Sequence, residues 1–182
     1  MQIQRISDEV FYAEGEIVTV GMPDLDFLKI QAKGNRRKRA RLCTHVDVSD
    51  LLHEMIIINL RDTYVRPHKN AHKPKSFQII EGMMDVVMFD ESGDVRGVTR
   101  MGQYGSGYPY YFRLHKTRYH TLRTISDLVL FQETTIGPFI PGDTIFAPWA
   151  PEDENTDECV RFLERIDLTV DRMRPAGCRV AP

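Results

Sequence analysis

Short runs of β-type residues, each ended by glycine, proline or a polar turn, dominate this sequence and limit it to folds built mainly from strands. Such runs occupy residues 16–20, 25–32 and 51–60. Two more, 75–81 and 85–89, flank a Gly-Met turn, and the ESGD stretch at 91–94 separates them from 95–99. Runs at 110–114, 120–123 and 128–133 follow. Within 75–81 the alternation puts Lys75, Phe77 and Ile79 on one face and Ser76, Gln78 and Ile80 on the other. One segment alone reads as a helix: Asn155 caps it, Glu158 follows three residues on, and Val160, Leu163 and Ile166 form one stripe. Many short strands with one late helix predict a closed or double-sheet, mainly β architecture. Four of the ten prolines fall between residues 137 and 151, which marks an ordered loop.

A chain of 182 residues suits one domain with a single sizeable core. Apolar residues at 42% and charged residues at 27% are an ordinary globular mixture. The net charge of −2 exerts no general pull on nucleic acid or an anionic membrane, and neither partner is expected. The three cysteines, Cys43, Cys159 and Cys178, form no C-x-x-C pair. With no basic start followed by an apolar run, this composition leads to the expectation of a cytoplasmic protein. Residues 33–41 carry six basic side chains in nine positions, and residues 152–158 carry five acidic ones in seven. No aromatic residue interleaves the basic run, so it is expected to be a solvated loop or a partner for the acidic stretch.

Six histidines occur, at 45, 53, 68, 72, 115 and 120. His68 follows a proline at the head of a strand pair, and His120 lies about fifty residues later, a spacing that lets two side chains meet inside a small barrel. Around them stand YVRPH (64–68), SFQIIEG (76–82), DVVMFD (85–90), HTL (120–122), ETTIGPF (133–139) and TIFAPWAP (144–151). This set resembles the WbuC-type cupins over residues 36–151. The resemblance implies a cupin double-stranded β-helix, or jelly-roll barrel. It would have a β extension over 1–50, a barrel core over 51–151 and a short helical tail over 152–182, with Trp149 packed near the barrel. It also implies a role in bacterial surface-polysaccharide (lipopolysaccharide, O-antigen) metabolism, a divalent metal (Zn, Fe, Ni or Mn) and pairing into a homodimer.

The family's ligand pattern is His-x-His, then Glu, Gly and a later His. Carried over by residue, His68 and His120 stand at two ligand positions, Asn70 at the second histidine and Lys75 at the glutamate. Gln78 stands where a histidine is common. An ammonium about 4 Å from a divalent ion is repelled by roughly 8 kcal/mol at an effective dielectric near 20. Lys75 therefore either swings out or replaces the metal's charge, and replacement is the expectation; His72 and Glu133 are the candidate substitute ligands. Strand parity would turn Tyr64, Arg66 and His68 inward together, and Lys75 with Phe77, leaving the facing of Tyr111 and Arg113 open. Such an interior suits an anionic ligand, such as a sugar phosphate, a nucleotide sugar or a carboxylated sugar.

Two functions are therefore expected. One is a sugar isomerase or epimerase, with His68 or His120 as base, Tyr111 returning the proton, and Lys75 or Arg66 stabilising the enediolate. The other is a non-catalytic module that binds a small anion through Arg66, Lys75, Gln78 and Arg113.

Overall fold

A computed structural model describes residues 2–173. Residues 174–182, with Cys178 and the end of the expected tail, lie outside it. The chain opens with a hairpin of β1 (Gln2–Arg5) and β2 (Val10–Glu14). Helix α1 (Met22–Gly34) then leads to β3 (Arg39–Cys43) and β4 (Leu52–Leu60). The barrel strands are β5 (His68–Asn70), β6 (Lys75–Phe89), β7 (Val95–Gly102), β8 (Tyr111–Leu114), β9 (His120–Ile136) and β10 (Thr144–Phe146). Helix α2 (Thr156–Met173) follows.

The sheet runs β1-β2-β3-β4-β9-β5-β10, and β6 pairs with β7, β8 and β9. Except for the parallel β2–β3 pair, every pairing is antiparallel. The fold is mainly β and of the cupin double-stranded β-helix type.

Two long strands give this fold its shape, and turn residues in the sequence hid both. The expected pairs 75–81 with 85–89, and 120–123 with 128–133, are single strands of 15 and 17 residues. They pair with one another from Lys75↔Thr135 to Met88↔His120, with irregularities at Ile79/Glu81 and Gly82/Met84. A bulge increases local twist and bends a strand without ending it. Here Gly82 takes φ +83°, and a Cβ at that position would run into the Leu128 carbonyl. Ser126 closes the bend from the other strand: its hydroxyl accepts from Met83 N at 2.8 Å and donates to Leu128 O.

The expected strand at 25–32 is instead helix α1. Leu25, Leu28 and Ala32 recur at helical spacing and bury against the β2–β4 face. Pro23 occupies the first turn, and the Asp24 carboxylate accepts from Gly21 N at 2.8 Å. No strand forms over 16–20. The apolar stripe of α2 is also shifted from expectation, because Cys159, Phe162, Ile166 and Val170 are buried while Val160 is exposed. That stripe seats the helix on Val87, Phe89, Tyr119, Ala147 and Ala150. Trp149 joins this layer, stacked on Phe162 and donating its ring N–H to Glu91 O at 3.1 Å. No described helix is long and apolar enough to cross a membrane.

Candidate functional site

Side chains directly opposite on neighbouring strands share a face, so the register defines the interior. One row joins Met55, Glu133 and Phe77, and the next joins His53, Thr135 and Lys75. Glu133 is thus the diagonal neighbour of Lys75, which brings the Lys75 ammonium 3.1 Å from Glu133 Oε1. Lys75 is buried at 5% exposure and Glu133 is half-buried at 15%. From a third strand, His68 lies directly opposite His120, with ring centres 4.7 Å apart. These groups line a cavity of about 710 Å³ together with Arg66, Asn70, Phe146 and the inner faces of β3 and β4.

The imidazoles are held in one orientation. His68 Nδ1 lies 2.9 Å from Arg66 O, and His120 Nδ1 lies 3.0 Å from Arg118 O. A carbonyl only accepts, so each Nδ1 carries the proton and each Nε2 presents a lone pair to the cavity. Lys75 Nζ donates to His68 Nε2 at 3.4 Å, whereas the buried His120 Nε2 has no partner among the described residues. Asn70 Oδ1 and Arg66 Nε are likewise buried and unpartnered. Burial first, and the Lys75 charge second, pushes the His68 pKa down to about 4. His120 also lies well below its ordinary value, through burial, then His68 and Lys75. Both rings are therefore neutral near pH 7.

The expected site residues separate into two groups. His68, His120, Lys75, Glu133, Asn70 and Arg66 converge on the cavity. Tyr111, Arg113 and Gln78 do not. Tyr111 is 49% exposed on β8, opposite Gln78 on the outer face of β6, and the exposed Arg113 donates to His115 Nδ1 at 3.4 Å. His72 is exposed, on a turn with φ +57°. Tyr64 also departs from parity, because residues 61–67 are not a strand and its ring packs on Phe162. Its hydroxyl donates to Pro151 O at 2.8 Å.

A divalent metal does not fit these residues. The Lys75 ammonium fills the space between Glu133 and His68 that a cation would need, and Asn70 and His120 remain without a carboxylate of their own. No group of three or more His, Cys, Asp or Glu side chains suited to a metal occurs among the described residues.

Reading by motif missed the arginine-rich end of the cavity, lined by Arg37, Arg39, Arg41, Asn59, Glu9 and Asp153. Period two gave part of the signal, since Arg39 and Arg41 share a face of β3 opposite Asn59 and Ile57; Arg37 precedes the strand on a turn, with Lys38 at φ +53°, and alternation does not place it. Arg37 Nη2 pairs with Asp153 at 2.9 Å, so part of the basic run does meet the acidic stretch.

A family model described as a domain of unknown function (DUF6016) matches residues 21–101, under half of the chain. No curated protein matches the sequence. Among solved structures, the chain is similar to the Schizosaccharomyces pombe Cnp3 cupin domain at 16% identity and TM-score 0.43, covering 56% of this chain and 66% of that one. It is similar to protein SO0799 from Shewanella oneidensis at 13% identity and TM-score 0.46, covering 57% and 66%. A variant of Bacillus subtilis oxalate decarboxylase is similar at 14% identity and TM-score 0.46, covering 59% of this chain and 27% of that one. The chain thus spans less than two thirds of each of these proteins. Its strand order and paired long strands give it the cupin type of fold.

Proposed function

We propose that this protein is a metal-independent cupin module that binds a small anionic, sugar-type ligand. The observation that carries the reading is Lys75 Nζ, seated between Glu133 Oε1 at 3.1 Å and His68 Nε2 at 3.4 Å where the family pattern would put a metal. A fixed internal cation does the metal's electrostatic work, and it cannot take a substrate oxygen into a coordination shell. The pocket lining supports a charged ligand, since it holds five cationic side chains against three carboxylates, which leaves two positive charges. Its unpartnered acceptors, His120 Nε2 and Asn70 Oδ1, support a ligand with hydroxyl donors. An isomerase is less well supported. A histidine with a pKa of about 4 is a weak base near neutrality, and Tyr111 is outside the cavity. The WbuC resemblance adds the finer expectation that the ligand is an activated or anionic sugar of surface-polysaccharide metabolism.

The test combines elemental analysis of tag-free protein with thermal shift. At a hundredfold excess over Kd a ligand stabilises by about 2.7 kcal/mol, which is roughly 5–10 °C for a chain of this size. Sugar phosphates, nucleotide sugars or sugar acids are expected to give that rise, and neutral sugars to give none. One full equivalent of bound metal, or equal shifts from neutral and anionic sugars, refutes the reading.

A further inference from the structure

The positive charge of the cavity is not spread evenly. Lys75 is neutralised by Glu133, so the excess lies at the arginine end. Arg37 and Arg39 share one carboxylate, with Arg37 Nε 3.5 Å from Glu9 Oε1 and Arg39 Nε 2.8 Å from Glu9 Oε2. Arg37 uses Nη2 on Asp153. Both Nη groups of Arg39 remain without a partner among the described residues, and Arg41 pairs with no described carboxylate. Arg66 completes the group: Phe146 covers its guanidinium at 4.9 Å, Nε is buried and unpartnered, and its nearest carboxylate oxygen, on the exposed Glu152, is 3.9 Å away. Asn59, opposite Arg39 across β3 and β4, is 2% exposed with an unpartnered Oδ1; rotating the amide would present donors there instead. Four guanidiniums thus face three carboxylates, Glu9, Asp153 and the exposed Glu152.

We infer that this end is a phosphate subsite, and that the ligand is a phosphorylated polyol whose phosphate sits on Arg66 and Arg39 while a hydroxyl donates to His120 Nε2. This rests on the reading of the cavity as a site for small anions, and it fixes which end takes the charge. A phosphate monoester carries about −1.5 to −2 charges near pH 7, and the cationic excess at the arginine end attracts it. Free Nη groups and a stacked guanidinium offer the forked donors that phosphate oxygens accept. The histidine end offers the opposite chemistry: His120 Nε2 and Asn70 Oδ1 accept and carry no charge. Arg66 is two residues from His68, whose ring lies 4.7 Å from that of His120, so one hexose phosphate can meet both ends. The assignment also gives Lys75 a different task from phosphate binding, which is to hold Glu133 and His68 in place.

Inorganic phosphate, glucose 6-phosphate, gluconate and glucose are the probes, read by phosphorus NMR line broadening for phosphate and by calorimetry for the others. Phosphate is expected to bind weakly, and glucose 6-phosphate at least tenfold more tightly than gluconate or glucose. Arg39→Met and Arg66→Met should each lower phosphate and glucose 6-phosphate affinity at least tenfold. Should Arg66→Met fail to fold, Arg41→Glu on the exposed rim provides the same test, because it reverses a charge at this end. Phosphate affinity unchanged in Arg39→Met and Arg41→Glu overturns the subsite. Gluconate binding while phosphate does not also overturns it, and leaves the anion-binding function standing. Failure of every anion to bind sinks both.

Discussion

Replacing Lys75 by methionine removes one member of a buried pair and leaves Glu133 inside the barrel without its cation. At 3.1 Å the gross attraction is about 5 kcal/mol for an effective dielectric near 20. Losing one partner of a buried pair costs about 3–5 kcal/mol, because the remaining charge stays desolvated. For a chain of 182 residues each kcal/mol moves the melting temperature by about 2–4 °C, so Lys75→Met should melt roughly 10 °C lower. The double variant Lys75→Met/Glu133→Met replaces both charges with apolar side chains of similar volume, and should recover to within about 1 kcal/mol of the parent. A second readout is independent of stability. Lys75 is the second cause of the lowered His68 pKa, so in the single variant the His68 titration should move up from about 4. Calorimetry and histidine NMR measure the two effects. A single variant melting within 2 °C of the parent would refute the pairing argument, as would a double variant no better than the single one.

Stability should fall with acid through the same imidazoles. Their folded pKa values are depressed, so the unfolded chain binds protons first and stability is lost as pH drops from about 6.5 toward about 4. His68 alone accounts for about 3 kcal/mol over that window, and His120 acts in the same direction. Urea midpoints at several pH values check this, and His68→Gln/His120→Gln should flatten the dependence; an equally steep profile in that variant rejects it. Restoring the family pattern with Asn70→His/Lys75→Glu should create a tight divalent-metal site beside His68, His120 and Glu133, because the internal cation is gone and two ligands are added. Elemental analysis that finds no gain in bound metal contradicts the replacement of metal by Lys75.

The histidine end of the site was legible from the sequence because strand alternation and family spacing depend on local order alone. Period two placed Lys75 with Phe77 on the inner face of β6, and spacing brought His68 and His120 to one cavity. The same rule failed for Tyr64, because alternation holds only where the backbone is extended and paired, and residues 61–67 are neither. It also failed over 25–32, where apolar spacing fits either period and the Pro-Asp start decides for a helix.

What the amino-acid order determined by itself was the mainly β class, the late helix and the inward facing of Lys75 with Phe77. Each follows from periodicity and from the turn and capping residues along the chain. Tertiary structure decided the rest. Whether Gly82 and Ser126 end their strands or bend them depends on the partner strand, whose Leu128 carbonyl fills the space a side chain would take. The Lys75–Glu133 pair depends on a register between strands 58 residues apart, and the grouping of Arg37, Arg39 and Arg66 with Asn59 depends on which faces close over one interior. Charge and hydrogen-bond capacity belong to residues, but the partner that satisfies them, or leaves them free for a ligand, is set by packing between distant segments.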